Sequence, residues 1–109
     1  ALNALKNSGC SPEEIDLIIV ATTSPDSFTP SSACRIQGML GCTNAAAFDI
    51  SAACSGFLYS LIIANNFLKQ GERKKALLIG TEVLSRIVDW SDRNTCILFG
   101  DGAGAAVVK

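Results

Sequence analysis

Phe48-Asp49-Ile50-Ser51-Ala52-Ala53-Cys54-Ser55-Gly56-Phe57 decides the fold. It leaves an apolar strand predicted over residues 46–50 and enters a long helix predicted from about Cys54 to Gln70, with Gly71 placed to end it. A strand feeding directly into a helix is the repeating unit of a layered α/β fold. Cys54 stands at the handover. Free N–H groups and the positive end of the helix dipole favour negative charge on an atom placed there. A tight strand-to-helix turn also pushes its side chain outward, as in the serine elbow of hydrolases. The small neighbours Ala52, Ala53, Ser55 and Gly56 leave room for a substrate carbonyl to approach the backbone. The same local pattern also suits a small buried cysteine packing the start of a helix.

The flanking sequence alternates strand and helix. Residues 1–9 read as the tail of a helix closed by Gly9. Ser11-Pro12-Glu13-Glu14 supplies an N-cap, a proline at the first helical position and two acids facing the dipole. Residues 17–22 are apolar and β-branched without alternation, as expected of a parallel strand covered on both faces. Residues 24–30 hold two prolines and form a loop. Ser31 or Ser32 then caps a short helix that Gly41 stops near Leu40. A third strand is predicted over 76–81, a polar loop over 89–94, a glycine-rich turn after Phe99, and a last strand over 105–108. The helix after Cys54 carries Phe57, Leu58, Leu61, Ile62, Ala64, Phe67 and Leu68 on more than one face, which predicts that it is buried.

Composition narrows the function. Of the 109 residues, 49% are apolar and 17% charged, where a free-standing soluble domain carries roughly a quarter. A short chain needs more polar cover, so this one is expected to be part of a larger, oligomeric fold. The net charge of −1 offers no footprint for nucleic acid and no basic stripe for a membrane surface. No apolar run approaches the roughly 20 residues of a membrane span, and the start lacks the order of a secretory signal. Five cysteines without a CxxC pair, in a chain lacking histidine, argue against a zinc site, a disulfide framework and a thiol redox protein. Reduced thiols in a cytoplasmic enzyme fit best. Gly100-Asp101-Gly102-Ala103-Gly104-Ala105 superficially suggests a dinucleotide loop, but strand rather than helix follows it, so its expected role is close backbone packing.

Read with its neighbours, the segment around Cys54 resembles the active-site stretch of the thiolase superfamily, specifically β-ketoacyl-acyl-carrier-protein synthase III. Val20-Ala21-Thr22-Thr23-Ser24, Pro30-Ser31-Ser32-Ala33-Cys34-Arg35-Ile36-Gln37, Asp92-Arg93-Asn94-Thr95 and Phe99-Gly100-Asp101-Gly102-Ala103-Gly104-Ala105-Ala106 extend the likeness in order along nearly the whole chain. The resemblance implies an α/β, thiolase-like layered fold (α-β-α-β-α), with residues 1–109 a partial N-terminal domain from the first thiolase repeat. It implies that Cys54 is acylated by an acyl-CoA primer and that malonyl-acyl-carrier protein is the second substrate. Coenzyme A enters as the substrate thioester, with no cofactor and no metal, and the enzyme is a homodimer. It places Arg93 at the adenine end of coenzyme A, where a planar guanidinium suits stacking and phosphate pairing. It sets Leu84, Leu98 and Phe99 along the acyl pocket, and Thr29 where the dimer partner closes the far end of the acyl channel. A small Thr29 leaves room there for longer or branched primers.

Plain alternatives stand beside these roles: Arg93 as a loop residue paired with Asp89 or Asp92, the apolar three as core, and Thr29 as a turn residue. In the family, a His and an Asn from the second half drive decarboxylation. This chain holds no His, and by itself is expected not to complete the condensation. Rival readings keep Cys54 but change the second substrate, as in 3-hydroxy-3-methylglutaryl-CoA synthase, chalcone-type polyketide synthases or esterifying relatives. A non-catalytic scaffold is the other class.

Overall fold

The computed structural model describes residues 1–71 and 73–109. Its elements are α1 (Leu2–Ser8), β1 (Leu17–Ala21), α2 (Ser32–Leu40), β2 (Ala46–Ile50), α3 (Gly56–Lys69), β3 (Ala76–Val83) and β4 (Asp101–Val108), joined by short 3-10 turns. The α/β expectation holds. Four strands form one sheet in the order β2-β1-β3-β4, with β1 parallel to both neighbours and β4 antiparallel to β3.

The first crossover steps from β1 to β2 through α2, and the second steps back across β1 to β3 through α3. These opposite lateral steps put the two helices on opposite faces, as crossovers of one hand require. Strand residues therefore sort by parity. Ile18, Val20, Leu77 and Ile79 face α1 and α2, packing with Leu5, Ala33 and Cys42. Leu17, Ile19, Ala76 and Leu78 face α3, packing with Ala64, Leu61, Phe57 and Phe67. Both faces of β1 are covered, which accounts for its unbroken apolar run.

Local chemistry sets most boundaries. Gly9 and Gly41 take left-handed conformations (φ 68° and 75°) that close α1 and α2. Ser31 caps α2 by accepting from Cys34 N–H at 3.2 Å. The carboxylate of Asp49, on β2, takes the next free donors, Ser32 N–H at 2.8 Å and Ala33 N–H at 2.7 Å.

Four expectations need correction. Ser11 and Pro12 open a single 3-10 turn, Pro12–Glu14, not a longer helix, because the extended Ile15 follows at once. The long helix begins at Gly56, and Cys54 lies in the preceding 3-10 turn, Ala53–Ser55. The glycine-rich segment is not a turn: from Asp101 onward it is β4, held by pairing with β3 over residues 76–83. Finally, α3 is not buried all round. Gly56, Ser60 and Ala64 are buried on one stripe, whereas Leu58, Tyr59 and Ile62 are exposed on the other face of the helix.

Candidate active site

The site lies at the C-terminal ends of β1, β2 and β3, where open α/β sheets gather ligands. Pairing between β1 and β2 is prolonged by Thr22 N–H donating to Ile50 C=O at 3.1 Å. The chain then turns sharply. Ala53 has φ 45°, the one non-glycine residue with positive φ among those described, and Ser55 N–H donates to Ala52 C=O at 3.1 Å. A left-handed alanine stores strain, and such strain collects where a backbone presents a functional group. In this turn the residue before the cysteine carries it. Cys54 emerges exposed at the tip.

Beneath the elbow the sheet is stripped of side chains. Cross-strand register aligns Ala21, Gly80 and Gly104 in one row. A Cβ on Gly56 would sit 2.9 Å from Ala21 Cβ, so only glycine lets α3 start this close to β1. Gly80 receives the ring of Phe57 at 3.4 Å from where a Cβ would be. Gly102 and Gly104 face open space. The result is an open cleft of about 440 Å³ bounded by Cys54, Phe57, Glu82, Leu84, Asp101 and the glycines of β4.

Charged groups brace this cleft. Glu82 accepts from Thr23 N–H at 2.9 Å, from Thr23 Oγ1 at 3.0 and 3.1 Å, and from Ser24 Oγ at 2.5 Å. Burial pushes its carboxyl up, but the hydrogen bonds from Ser24, Thr23 and Thr22 outweigh this and hold it below the usual carboxylate range. Asp101 accepts from Ser85 Oγ at 2.6 Å and Ser85 N–H at 2.8 Å, which lower its carboxyl and fix the 3-10 turn Leu84–Arg86 against β4. Sequence reasoning missed both acids as site residues. The available signals were a lone charge in the apolar β3 and three hydroxyl residues, Thr22 to Ser24, directly after a buried strand.

The residues singled out from sequence are only partly brought together. Leu84 lines the Cys54 cleft and also a smaller one of about 220 Å³ that it shares with Phe99. Leu98, in the turn Cys96–Leu98, is 71% exposed. Thr29 lies exposed in the loop after β1, preceding a cis Pro30. Arg93 is exposed on the polar loop. Among the described residues it forms no ion pair with Asp89 or Asp92; Asp92 instead accepts from Thr95 Oγ1 and Asn94 N–H. All five cysteines are free thiols: Cys10 and Cys42 are buried, Cys34 and Cys54 exposed. Burial, and then the charge of Glu13, push the Cys42 thiol up. Among the described residues no group of three His, Cys, Asp or Glu side chains could hold a metal ion, and no helix is long and apolar enough to cross a membrane.

Fold and site together define an α/β protein that presents an exposed cysteine at a strand-to-helix elbow, above a glycine-floored cleft. Residues 48–109 match the family described as 3-Oxoacyl-[acyl-carrier-protein (ACP)] synthase III. The β-ketoacyl-[acyl-carrier-protein] synthase III of Clostridium acetobutylicum is 62% identical over all 109 residues, which span 34% of that protein. The crystal structure of 3-oxoacyl-[acyl-carrier-protein] synthase III from Aquifex aeolicus VF5 superposes with a TM-score of 0.97 at 57% identity, covering all of this chain and 35% of that one. The priming β-ketosynthase of the R1128 polyketide biosynthetic pathway gives 0.91 at 43% identity, covering 95% of this chain and 31% of that one. The chain belongs to the 3-oxoacyl-[acyl-carrier-protein] synthase III family and has its thiolase-like fold. It spans about a third of the length of the curated relatives it matches.

Proposed function

We propose that Cys54 is the acyl-carrying nucleophile of a 3-oxoacyl-[acyl-carrier-protein] synthase III, and that residues 1–109 are its partial N-terminal thiolase-like domain. One observation carries this reading: an exposed thiol stands on a strained elbow over a cleft whose floor is nearly bare backbone. Cys54 Sγ adds to the primer thioester carbonyl. The bond from that carbon to the coenzyme A sulfur breaks, and coenzyme A departs as its thiol with the proton Cys54 gives up. Preorganised donors stabilise the tetrahedral oxyanion. Malonyl-acyl-carrier protein then enters. Loss of carbon dioxide creates a carbon nucleophile that attacks the acyl-Cys54 carbonyl, releasing β-ketoacyl-carrier protein and the free thiol. A histidine and an asparagine promote the decarboxylation; this chain contains no histidine, so that group comes from outside residues 1–109.

In this reading Arg93 holds the adenine end of coenzyme A, Leu84, Leu98 and Phe99 flank the acyl chain, and Thr29 meets the partner of a cytoplasmic homodimer. The full-length protein incubated with radiolabelled acyl-CoA should take up one label per site, released by hydroxylamine, and Cys54→Ala should abolish it. Label persisting in Cys54→Ala would exclude the proposal.

A further inference from the structure

We infer that Glu82 is a positioning residue, holding the loop that carries Thr29 in register with the wall of the Cys54 cleft. This deepens the acyl-transfer reading and rests on it.

Glu82 belongs to two places at once. It lines the cleft beside Cys54 and Leu84, and its two carboxylate oxygens gather the start of the loop leaving β1. Thr23 donates through both its N–H and its hydroxyl, Ser24 donates its hydroxyl, and Thr22 Oγ1 lies 3.5 Å away. The Ser24 hydroxyl also accepts from Val83 N–H at 2.8 Å, which ties the loop to the β3 backbone. Arg86 adds a second clasp, donating to Ser24 C=O at 2.7 Å and pairing with Asp26 at 2.8 Å. Asp26 also receives Arg35 of α2 at 3.3 Å. Beyond Asp26 the loop runs to Phe28, 95% exposed, and to Thr29.

One short segment, residues 82–86, therefore carries both Leu84, against the cleft, and the side chains that hold the loop. A carboxylate is the group this needs. It offers acceptors only, and the converging groups are an N–H and hydroxyls that can all donate. Charge-assisted bonds of this kind are about twice as strong as neutral ones. An alanine leaves the Thr23 N–H without its acceptor and frees residues 22–24 to shift. A glutamine of the same length keeps one acceptor oxygen. An aspartate falls short by a methylene.

The test uses the full-length protein, with acetyl-CoA and a longer acyl-CoA as primers and label bound at Cys54 counting active sites. Glu82→Ala is expected to raise primer KM roughly tenfold and to change the ratio of KM between the two primers at least about threefold, as loss of a charge-assisted bond implies. Glu82→Gln, which keeps one acceptor oxygen but loses the charge, should recover only part of both effects, and Glu82→Asp little. Thr23→Val, which removes one donor without loss of size, should change the same ratio, and should add little when combined with Glu82→Ala. The inference is overturned if Glu82→Ala melts earlier yet keeps wild-type KM and primer ratio per labelled site. It is equally overturned if Thr23→Val leaves the ratio unchanged, a result readable even where Glu82→Ala does not fold. Wild-type protein that takes no label at Cys54 would sink the acyl-transfer reading instead.

Discussion

Gly56 and Ala53 lie on either side of Cys54 and shape its elbow in opposite ways. Gly56 is required by space: a methyl group there would meet Ala21 Cβ at 2.9 Å, so α3 or β1 would have to move to admit it. Gly56→Ala is therefore expected to destabilise the protein by about 1–3 kcal/mol through overpacking, despite the better helix propensity of alanine. Thermal unfolding of the pair checks it; an unchanged or higher melting temperature would mean that α3 can shift freely. Ala53 instead pays a conformational cost at φ 45° to aim the next side chain outward. Glu82 brings a pH dependence. Its folded carboxyl titrates below the ordinary range, so the stabilisation it gives is present above the unfolded value and is lost as pH falls through the folded one. The melting temperature should drop on acidification below the normal glutamate range, and Glu82→Gln should flatten that drop. Identical acid profiles for the two proteins would count against it.

At the scale of elements, two features place the cysteine: the stripe of Gly56, Ser60 and Ala64 on α3, and the bare row of Ala21, Gly80 and Gly104 beneath its start. Ser60 keeps its buried hydroxyl satisfied by donating to Gly56 C=O at 3.0 Å, so the close approach leaves no unpaired polar atom. The glycines of β4 have another use. Nothing lies within 4 Å of a Cβ built on Gly104, so a side chain there has room in the fold but would fill the cleft. Gly104→Val is expected to leave stability within about 1 kcal/mol, since β-branched residues suit strands. It should slow acyl labelling of Cys54 by about tenfold or more, as misplacement at a reacting centre does. Normal labelling of that variant would mean the primer approaches from another side. The antiparallel ladder from Asp101 was hidden in the sequence because glycine has no strand signal of its own; pairing with β3 supplies it.

For the molecule as a whole, the sparse charge and the exposed Leu58, Tyr59 and Ile62 belong together. In the full-length protein the outer face of α3 is expected to be covered by further protein. Ile62→Asp should then cost about 2 kcal/mol or more, because it would bury an unpaired charge. A melting temperature equal to wild type would show that this face stays in water. The sequence foresaw an α3 apolar on several faces, and residues 1–109 cover one of them.

What the sequence determined by itself was the order of elements and the position of Cys54 at the handover from β2 to α3. Capping serine, closing glycines, unbroken apolar strands and a cysteine among small residues act within a few positions of one another, so their chemistry is readable locally. Tertiary structure decided the rest. It set the start of α3 two residues past Cys54, aligned Ala21 with Gly80 and Gly104, and brought Glu82 to Thr23 across 59 positions. These depend on strand register and on the side of the sheet to which each crossover returns. Both are fixed only when the two faces of β1 are buried together, a condition that no single stretch of the chain contains.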